Sequence, residues 1–270
     1  MFPLKFKYLI TAFSIIIVFI LLLAVLLPLL IAKPESAADF LKISLPFFIF
    51  IFVFLISLCI FLLLNYRLFS LLEREDWPAL AYYLEQEILT KGRYNTYKVR
   101  LLASSYLVIS DYDSVLKLES KVHQAKPAVI RRNVMLFGAA RVLSGKYSEA
   151  AAFFHTYYDL NEWIRWFYGF CHLLAGDFSK AEPEFDKLAR HSGDNLITGL
   201  SAYFLFNNLS KHSKNTAECN AAAEDGRKRL TGSIKNAEGW NKEAQKLKAE
   251  IHIAIIRKYI NEAALWIFKN

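Results

Sequence analysis

Two uninterrupted apolar segments open the chain and set it apart from everything that follows. No charged residue lies within residues 8–32 or 43–64, whereas charges are frequent from Arg67 onward. A helix of roughly 20 apolar residues spans the hydrocarbon core of a bilayer. The pattern therefore predicts two transmembrane helices, residues 8–32 and 43–66, which form a hairpin over residues 1–66.

The first apolar segment has an alternative interpretation, a cleaved signal peptide. Lys5 and Lys7 resemble the basic start of such a peptide, and the small residues 36–38 resemble a cleavage site. Signal peptides have an apolar core of about 7–15 residues, which is much shorter than this segment. A membrane span is therefore the preferred interpretation.

The charges around the two spans predict how the hairpin sits in a membrane. Only residues 33–42 separate the spans, so the chain is expected to turn straight back there and to leave both ends on one side. Lys5, Lys7 and the α-amino group precede the first span, and Arg67 and Arg74 follow the second, against Lys33 and Lys42 in the turn. Because Lys and Arg are retained on the cytoplasmic side, we expect both termini and the following domain in the cytoplasm, at a bacterial inner membrane.

Beyond the spans, helical patterns alternate with turns that recur at near-constant spacing. An aromatic residue follows each turn, at intervals of 35, 35 and 31 positions, and a small or aliphatic residue comes three positions later. A Gly, Ser or Asp before the aromatic allows a tight turn, and small residues let two helices approach closely. These markers are Trp77, Tyr112, Tyr147 and Phe178, then Leu80, Val115, Ala150 and Ala181, then, four positions on, Leu84, Glu119, Phe154 and Phe185.

This pattern resembles the tetratricopeptide repeat, a helix-turn-helix of about 34 residues. It covers residues 68–194, with Arg141 and His172 at positions where a large aromatic is usual. The resemblance implies an all-α fold in which an α-solenoid over residues 67–209 follows the transmembrane hairpin and precedes a helical cap over residues 210–270. The layout is similar to that of HemY-type membrane proteins, which also place repeats after two spans.

Two long helices are predicted at the boundaries of the repeats. The first turn, at Glu75 and Asp76, leaves no room for a separate first helix, so the second span is expected to continue from Ile43 to about Leu72 as one rigid helix. From Ser233 a long amphipathic helix is expected to cover the open apolar end of the solenoid. The alternative for its last part, Ile251–Phe268, is a helix that lies in the membrane interface.

The residues that could carry chemistry show none of the spacings of metal, phosphate or nucleophile sites. Cys59 lies in the second span, and Cys171 and Cys219 suggest no disulfide framework, which fits a reducing compartment. The formal net charge of +8 favours contact with anionic membrane lipid over nucleic acid. We therefore expect no catalytic residue, no cofactor and no metal, and a protein that is not an enzyme.

The repeat resemblance implies a concave groove, lined by the first helix of each unit, that binds a peptide or a helix of a protein partner. Its aromatic, basic and Met residues are types enriched in interface cores, although packing inside the domain is the alternative, above all for Trp166 and Phe170. Ser104, Ala139 and Phe170 replace the Asn of the carboxylate-clamp subgroup, so a C-terminal carboxylate is not the expected ligand. The predicted groove residues are Tyr97, Arg100, Ser104, Arg132, Met135, Ala139, Trp163, Trp166 and Phe170.

Together these features predict a membrane-anchored scaffold or adaptor that holds a protein partner next to the bilayer. An accessory subunit of a cell-envelope or biosynthetic membrane complex is an alternative of the same broad class. An enzyme with an unfamiliar site is the alternative from another class.

Overall fold

The computed structural model describes residues 15–19, 22–23, 34–248 and 250–268, with the backbone alone for residues 34–44 and 48. Helices and no strands occur in this part of the chain, so the protein is all-α as predicted. The chain divides into two compact units, residues 1–83 and residues 84–270.

Helix α1 of the first unit contains the candidate membrane span. It covers Pro34–Leu64, and its stretch Leu45–Leu64 has a mean hydropathy of 3.3 with no buried residue, which makes it long and apolar enough to cross a membrane. Residues 34–42, where the chain was predicted to turn, are helical instead, because a proline suits the first turn of a helix and no breaker follows it there. Of the predicted first span, only residues 15–19 and 22–23 are described, and they are helical.

The helical path continues beyond the apolar stretch with one irregularity, at Asn65. The next helix, α2, covers Tyr66–Glu73, so the path extends as far as the predicted end near Leu72 but is not one regular helix. Backbone hydrogen bonds still run from the Asn65 amide to the Phe61 carbonyl and from the Phe69 amide to the Asn65 carbonyl, both at 3.1 Å. The Asn65 side chain also donates to the Phe61 carbonyl at 2.8 Å, and such a local bond competes with the regular ladder.

The turns marked in the sequence share one backbone geometry. In each, the residue two positions before the aromatic has a positive φ, between 53° and 77°, and the next amide donates to the carbonyl five residues earlier at 2.9 to 3.2 Å. This is the helix-ending arrangement that glycine favours, and the following helix begins at the aromatic. The positive-φ residues are Glu75, Ser110, Gly145 and Gly176.

Helix α3 (Trp77–Glu85) follows the first of these turns, and the remaining helices belong to the second unit. They are α4 (Thr96–Val108), α5 (Tyr112–Ala125), α6 (Pro127–Arg131), α7 (Val134–Leu143), α8 (Tyr147–Thr156), α9 (Glu162–Leu174), α10 (Phe178–His191), α11 (Asn195–Phe204), α12 (Thr216–Ser233), α13 (Ala237–Lys246) and α14 (Ile251–Phe268), with π-helical turns at Gln86–Thr90 and Leu205–Leu209. Helices α4, α7, α9 and α11 each pack against the second helix of their pair, α5, α8, α10 and α12.

Small residues allow the paired helices to approach closely, as the sequence pattern predicts. A Cβ atom on Gly138 of α7 would lie 2.1 Å from Cζ of Phe154 on α8, which is far inside van der Waals contact. A Cβ atom on Gly169 of α9 would lie 3.1 Å from Cβ of Glu184 on α10. The absence of a side chain at residue 138 is therefore a requirement of the α7–α8 contact.

Two departures from the repeat pattern compensate one another. Arg141 stands where a large aromatic is usual, and Glu119 stands where the other units have an apolar residue. The two form a bidentate pair between α5 and α7, with Nη1–Oε2 and Nη2–Oε1 distances of 2.5 and 3.1 Å. The guanidinium also lies over the Phe153 ring, 4.4 Å from its centroid.

The amphipathic helix predicted from Ser233 onward is in fact two helices. Helix α13 begins after Asn236, whose side-chain oxygen accepts a hydrogen bond from the Gly239 amide at 2.9 Å, and residues 247–250 separate α13 from α14. Trp240 of α13 is fully buried and donates from Nε1 to the Ile260 carbonyl of α14 at 3.0 Å. One straight helix could not bring these two residues together, and this contact is the physical reason for the bend.

Candidate functional site

Helix α14 lies against the first helices of the successive pairs. It packs on α7 and α11, and it reaches α9 through His252 and Tyr259, whose ring centroids lie 4.7 Å from Trp163 and 5.6 Å from Phe170. Just before α14, Glu250 pairs with Arg100 of α4. We call the surface that α4, α7, α9 and α11 present to α14 the inner face.

This position corrects the predicted role of the last helix. It lies across the inner face, where a partner was expected, rather than over one end of the repeats. Its apolar stripe is covered by protein, so the alternative of a helix in the membrane interface does not describe it either. The buried residues of that stripe are Ile253, Ile256, Ile260, Ala263 and Ile267.

At one end of the inner face, the predicted groove residues are covered. Trp166 and Phe170 are buried and stacked on each other with a centroid separation of 5.0 Å, and Ala139 is buried as well. Trp163 is half-buried and donates from Nε1 to Asp194 Oδ2 at 3.1 Å. Packing inside the domain, the stated alternative for Trp166 and Phe170, is what the structure shows.

His252, near the start of α14, lies in an apolar environment. It is buried, its ring lies beside Trp163 and Phe167, and neither ring nitrogen has a hydrogen-bond partner. Burial lowers the pKa of this imidazole to about 4, against a smaller opposing effect of Glu250. The ring is therefore neutral when α14 lies in place at neutral pH.

The other end of the inner face is open. A cleft of about 350 Å³ lies between α4, α7 and the start of α14, and we call it the basic cleft. The structure brings four predicted residues together there, exposed Arg100 and Arg132 and half-buried Ser104 and Met135. Tyr97 is exposed on α4 but does not line the cleft.

Sequence reasoning missed part of the charge in this cleft. Arg131 and Lys248 also line it, and Glu250 is the one carboxylate among the described residues that do so. Arg131 ends α6, and the bend before α7 directs it and Arg132 to the same cleft. Lys248 and Glu250 lie in the bend between α13 and α14, which brings them to the cleft. The spacing of apolar residues gave no sign of this bend.

Two findings on the described residues bear on metal binding and on thiol chemistry. No group of three or more His, Cys, Asp or Glu side chains in that part of the chain could hold a metal ion. Cys171 and Cys219 are buried, and burial raises the pKa of the Cys171 thiol and raises that of Cys219 to about 11. Both remain protonated at neutral pH, where they are poor nucleophiles.

Comparison with known proteins gives a match in one bacterial genus. A family model described as an uncharacterised Treponema protein matches residues 114–269, a region that includes α7, α9, α11 and α14. An uncharacterised protein of Treponema pallidum (strain Nichols) is 30% identical over 237 residues, which cover 80% of this chain and 74% of that protein. No tetratricopeptide-repeat or HemY family is found, so the repeat resemblance stays a prediction.

Proposed function

The chain belongs to the family of uncharacterised Treponema proteins, and we propose that it is a membrane-anchored helical scaffold that binds a protein partner beside the membrane. The observation that carries the proposal is the open, basic end of an inner face that is otherwise filled by α14. A scaffold needs an anchor and a free binding surface. The stretch Leu45–Leu64 and the basic cleft are the candidates for these two parts.

The anchor in this proposal is a hairpin of two spans. The apolar, unburied stretch Leu45–Leu64 supports the second span, and the uncharged segment 8–32 supports the first. With basic residues outside both spans, the hairpin would place both termini and the helical domain in the cytoplasm, at a bacterial inner membrane.

The binding domain in this proposal is a solenoid of tetratricopeptide-like repeats. Four turns with one geometry, and helix pairs that pack around small residues at marked positions, support this interpretation. In such an arrangement the first helices form a continuous surface for a partner. The basic cleft offers Arg, Met and partly exposed apolar side chains, a mixture typical of protein interfaces.

Site-specific crosslinking in cells that make the full chain tests the proposal. A photoreactive amino acid in place of Met135, in the cleft, is expected to form a discrete covalent adduct with another protein. The matched control is the same replacement at Lys121, which is exposed on α5 and lies outside the cleft. Adducts of equal yield at both positions, or none at Met135, would contradict the scaffold function.

A further inference from the structure

We propose that the basic cleft binds an acidic segment of the protein partner, whose carboxylates replace Glu250 on Arg100 and also contact Arg131 and Arg132. The inference rests on the proposed function, because it gives the chemistry of the partner that the scaffold would bind. Four observations support it: the concentration of cations, the lack of a counter-ion for three of them, a carboxylate already bound to the fourth, and the shape of the cleft.

Three of the four cations that line the cleft have no acidic partner in the part of the chain that the structure describes. Arg131, Arg132 and Lys248 form no ion pair with any carboxylate of the described residues, although they lie close to Arg100 around one cavity. Elsewhere the domain does pair its basic side chains across helices, as with Arg190 and Asp225 at 2.7 Å. Like charges gathered without counter-ions repel one another, and an acidic ligand relieves that repulsion.

The protein itself supplies the first carboxylate that this cleft binds. Glu250 lies with its two oxygens 3.5 and 3.2 Å from Nη2 of Arg100. Both side chains are open to water, with 53% of Arg100 and 41% of Glu250 exposed, so the pair is readily replaced. The contact indicates where a ligand carboxylate would bind, and its replacement does not require α14 to leave the inner face.

The shape and apolar lining of the cleft favour a peptide over a lipid surface. Its volume of about 350 Å³ lies within the range of ligand pockets, and its wall includes half-buried Met135 and, at the rim, exposed Val108. A flat layer of headgroups cannot fill a concave cleft, whereas a peptide can place alternate side chains in it. The partner segment is therefore acidic with at least one apolar side chain between its carboxylates.

Selection from a random peptide library, displayed to the full chain in detergent micelles, tests this chemistry. The wild-type chain is expected to select peptides enriched in Asp and Glu. The double variant Arg131→Glu with Arg132→Glu should bind a selected peptide at least about tenfold more weakly, because it replaces attraction with repulsion. The control is Lys117→Glu with Lys121→Glu, which makes the same change in net charge on the exposed face of α5 and should bind normally.

A second variant tests the internal carboxylate directly. Glu250→Gln removes the competing charge, so the selected peptide should bind roughly twofold to fivefold more tightly, the range expected for an exposed ion pair. Weaker binding by this variant would overturn the idea that Glu250 holds the position of a ligand carboxylate. Its helix content, measured by circular dichroism, should match that of the wild-type chain.

Three further results would overturn the proposal. The first is selection of peptides without acidic enrichment, and the second is equal weakening by the two charge-reversal variants. In the third, phosphatidylglycerol vesicles displace the peptide from the wild-type chain as fully as excess peptide does, which would assign the cleft to lipid. If the Met135 adduct persists in the Arg131→Glu, Arg132→Glu variant, the proposal of an acidic ligand is wrong, but the proposed scaffold function is retained. If the wild-type chain forms no adduct at Met135, the scaffold function itself is contradicted.

Discussion

The two ends of the inner face differ in what covers them. At the covered end, formed by α9 and α11 under α14, aromatic rings meet across the helices, as with Phe170 and Phe204 at 5.7 Å and Phe204 and Tyr259 at 5.1 Å. At the open end, formed by α4 and the first turn of α7, Arg100 and Arg132 face water. The nine predicted groove positions fall in both parts, so the repeat resemblance alone does not indicate which surface is free.

The difference follows from the solvation of the side chains. A contiguous aromatic surface is costly to leave in water, and α14 removes that surface from solvent. Arginines are costly to bury without partners, and they remain hydrated at the open end. Residue type therefore indicates which part of such a surface the protein covers with its own helix and which part stays open to water.

The largest contrast between the ends should appear in stability. Trp166→Ala at the covered end should lower the free energy of unfolding by about 3–5 kcal/mol, because it opens a cavity in a packed aromatic cluster. Arg132→Ala at the open end should change it by no more than about 0.5 kcal/mol. Urea unfolding of the full chain in detergent, followed by circular dichroism, measures both. Similar losses in the two variants would remove the distinction.

The covered end should also respond to acid. The pKa of His252 is about 4 when α14 is packed, against 6.5 for an ordinary histidine. The packed state of α14 therefore has its full stability above pH 6.5, and it loses stability as the pH falls toward 4. The loss is up to about 3 kcal/mol. Hydrogen exchange of residues 251–268 should accelerate between pH 7 and pH 5, after correction for the intrinsic rate, with α4 as the internal reference. His252→Phe should remove this acceleration, and an unchanged response in that variant would assign it to another group.

A smaller effect should distinguish the ion pair near the open end from the aromatic packing near the covered end. Glu119→Leu should cost about 1–3 kcal/mol, because it leaves the half-buried Arg141 guanidinium without its carboxylate partner and with only the Phe137 carbonyl as a hydrogen-bond acceptor among the described residues. The double variant Glu119→Leu with Arg141→Met should recover much of that loss, since neither charge is then stranded. A double-mutant cycle in urea unfolding measures the coupling, and additive losses would show that the pair does not hold α5 and α7 together.

The turns and helix pairs could be predicted because each depends on residues that are close together in the sequence. Ser110, Gly145 and Gly176 stand directly before the Asp or Lys that precedes a marker aromatic, and each has the backbone conformation that the helix-ending turn needs. The marker residue Phe154 likewise lies against Gly138, where a Cβ atom would be only 2.1 Å from Cζ of its ring. These features depend on local residue types, so they can be predicted from a single sequence.

The arrangement of the last helices could not be predicted in the same way. Leu247, Ile251 and Ile255 continue the helical spacing through the bend, so the pattern gives no sign that α13 and α14 are separate. The bend follows from the contact between Trp240 and Ile260, which depends on tertiary packing. For the same reason the sequence could not show that α14 packs on Phe170 and that the bend before it brings Lys248 to the basic cleft.

The packing of α14 on earlier helices has a consequence for the order in which the chain folds during synthesis. The Arg100–Glu250 contact joins residues 150 positions apart, which a ribosome takes about 8–30 s to add. Earlier helix pairs can form as they emerge, but the aromatic end of their shared surface stays bare until residues 251–268 follow. A nascent or truncated chain that lacks α14 therefore exposes an apolar surface of the kind that chaperones and proteases recognise, and α14 removes that surface when it packs.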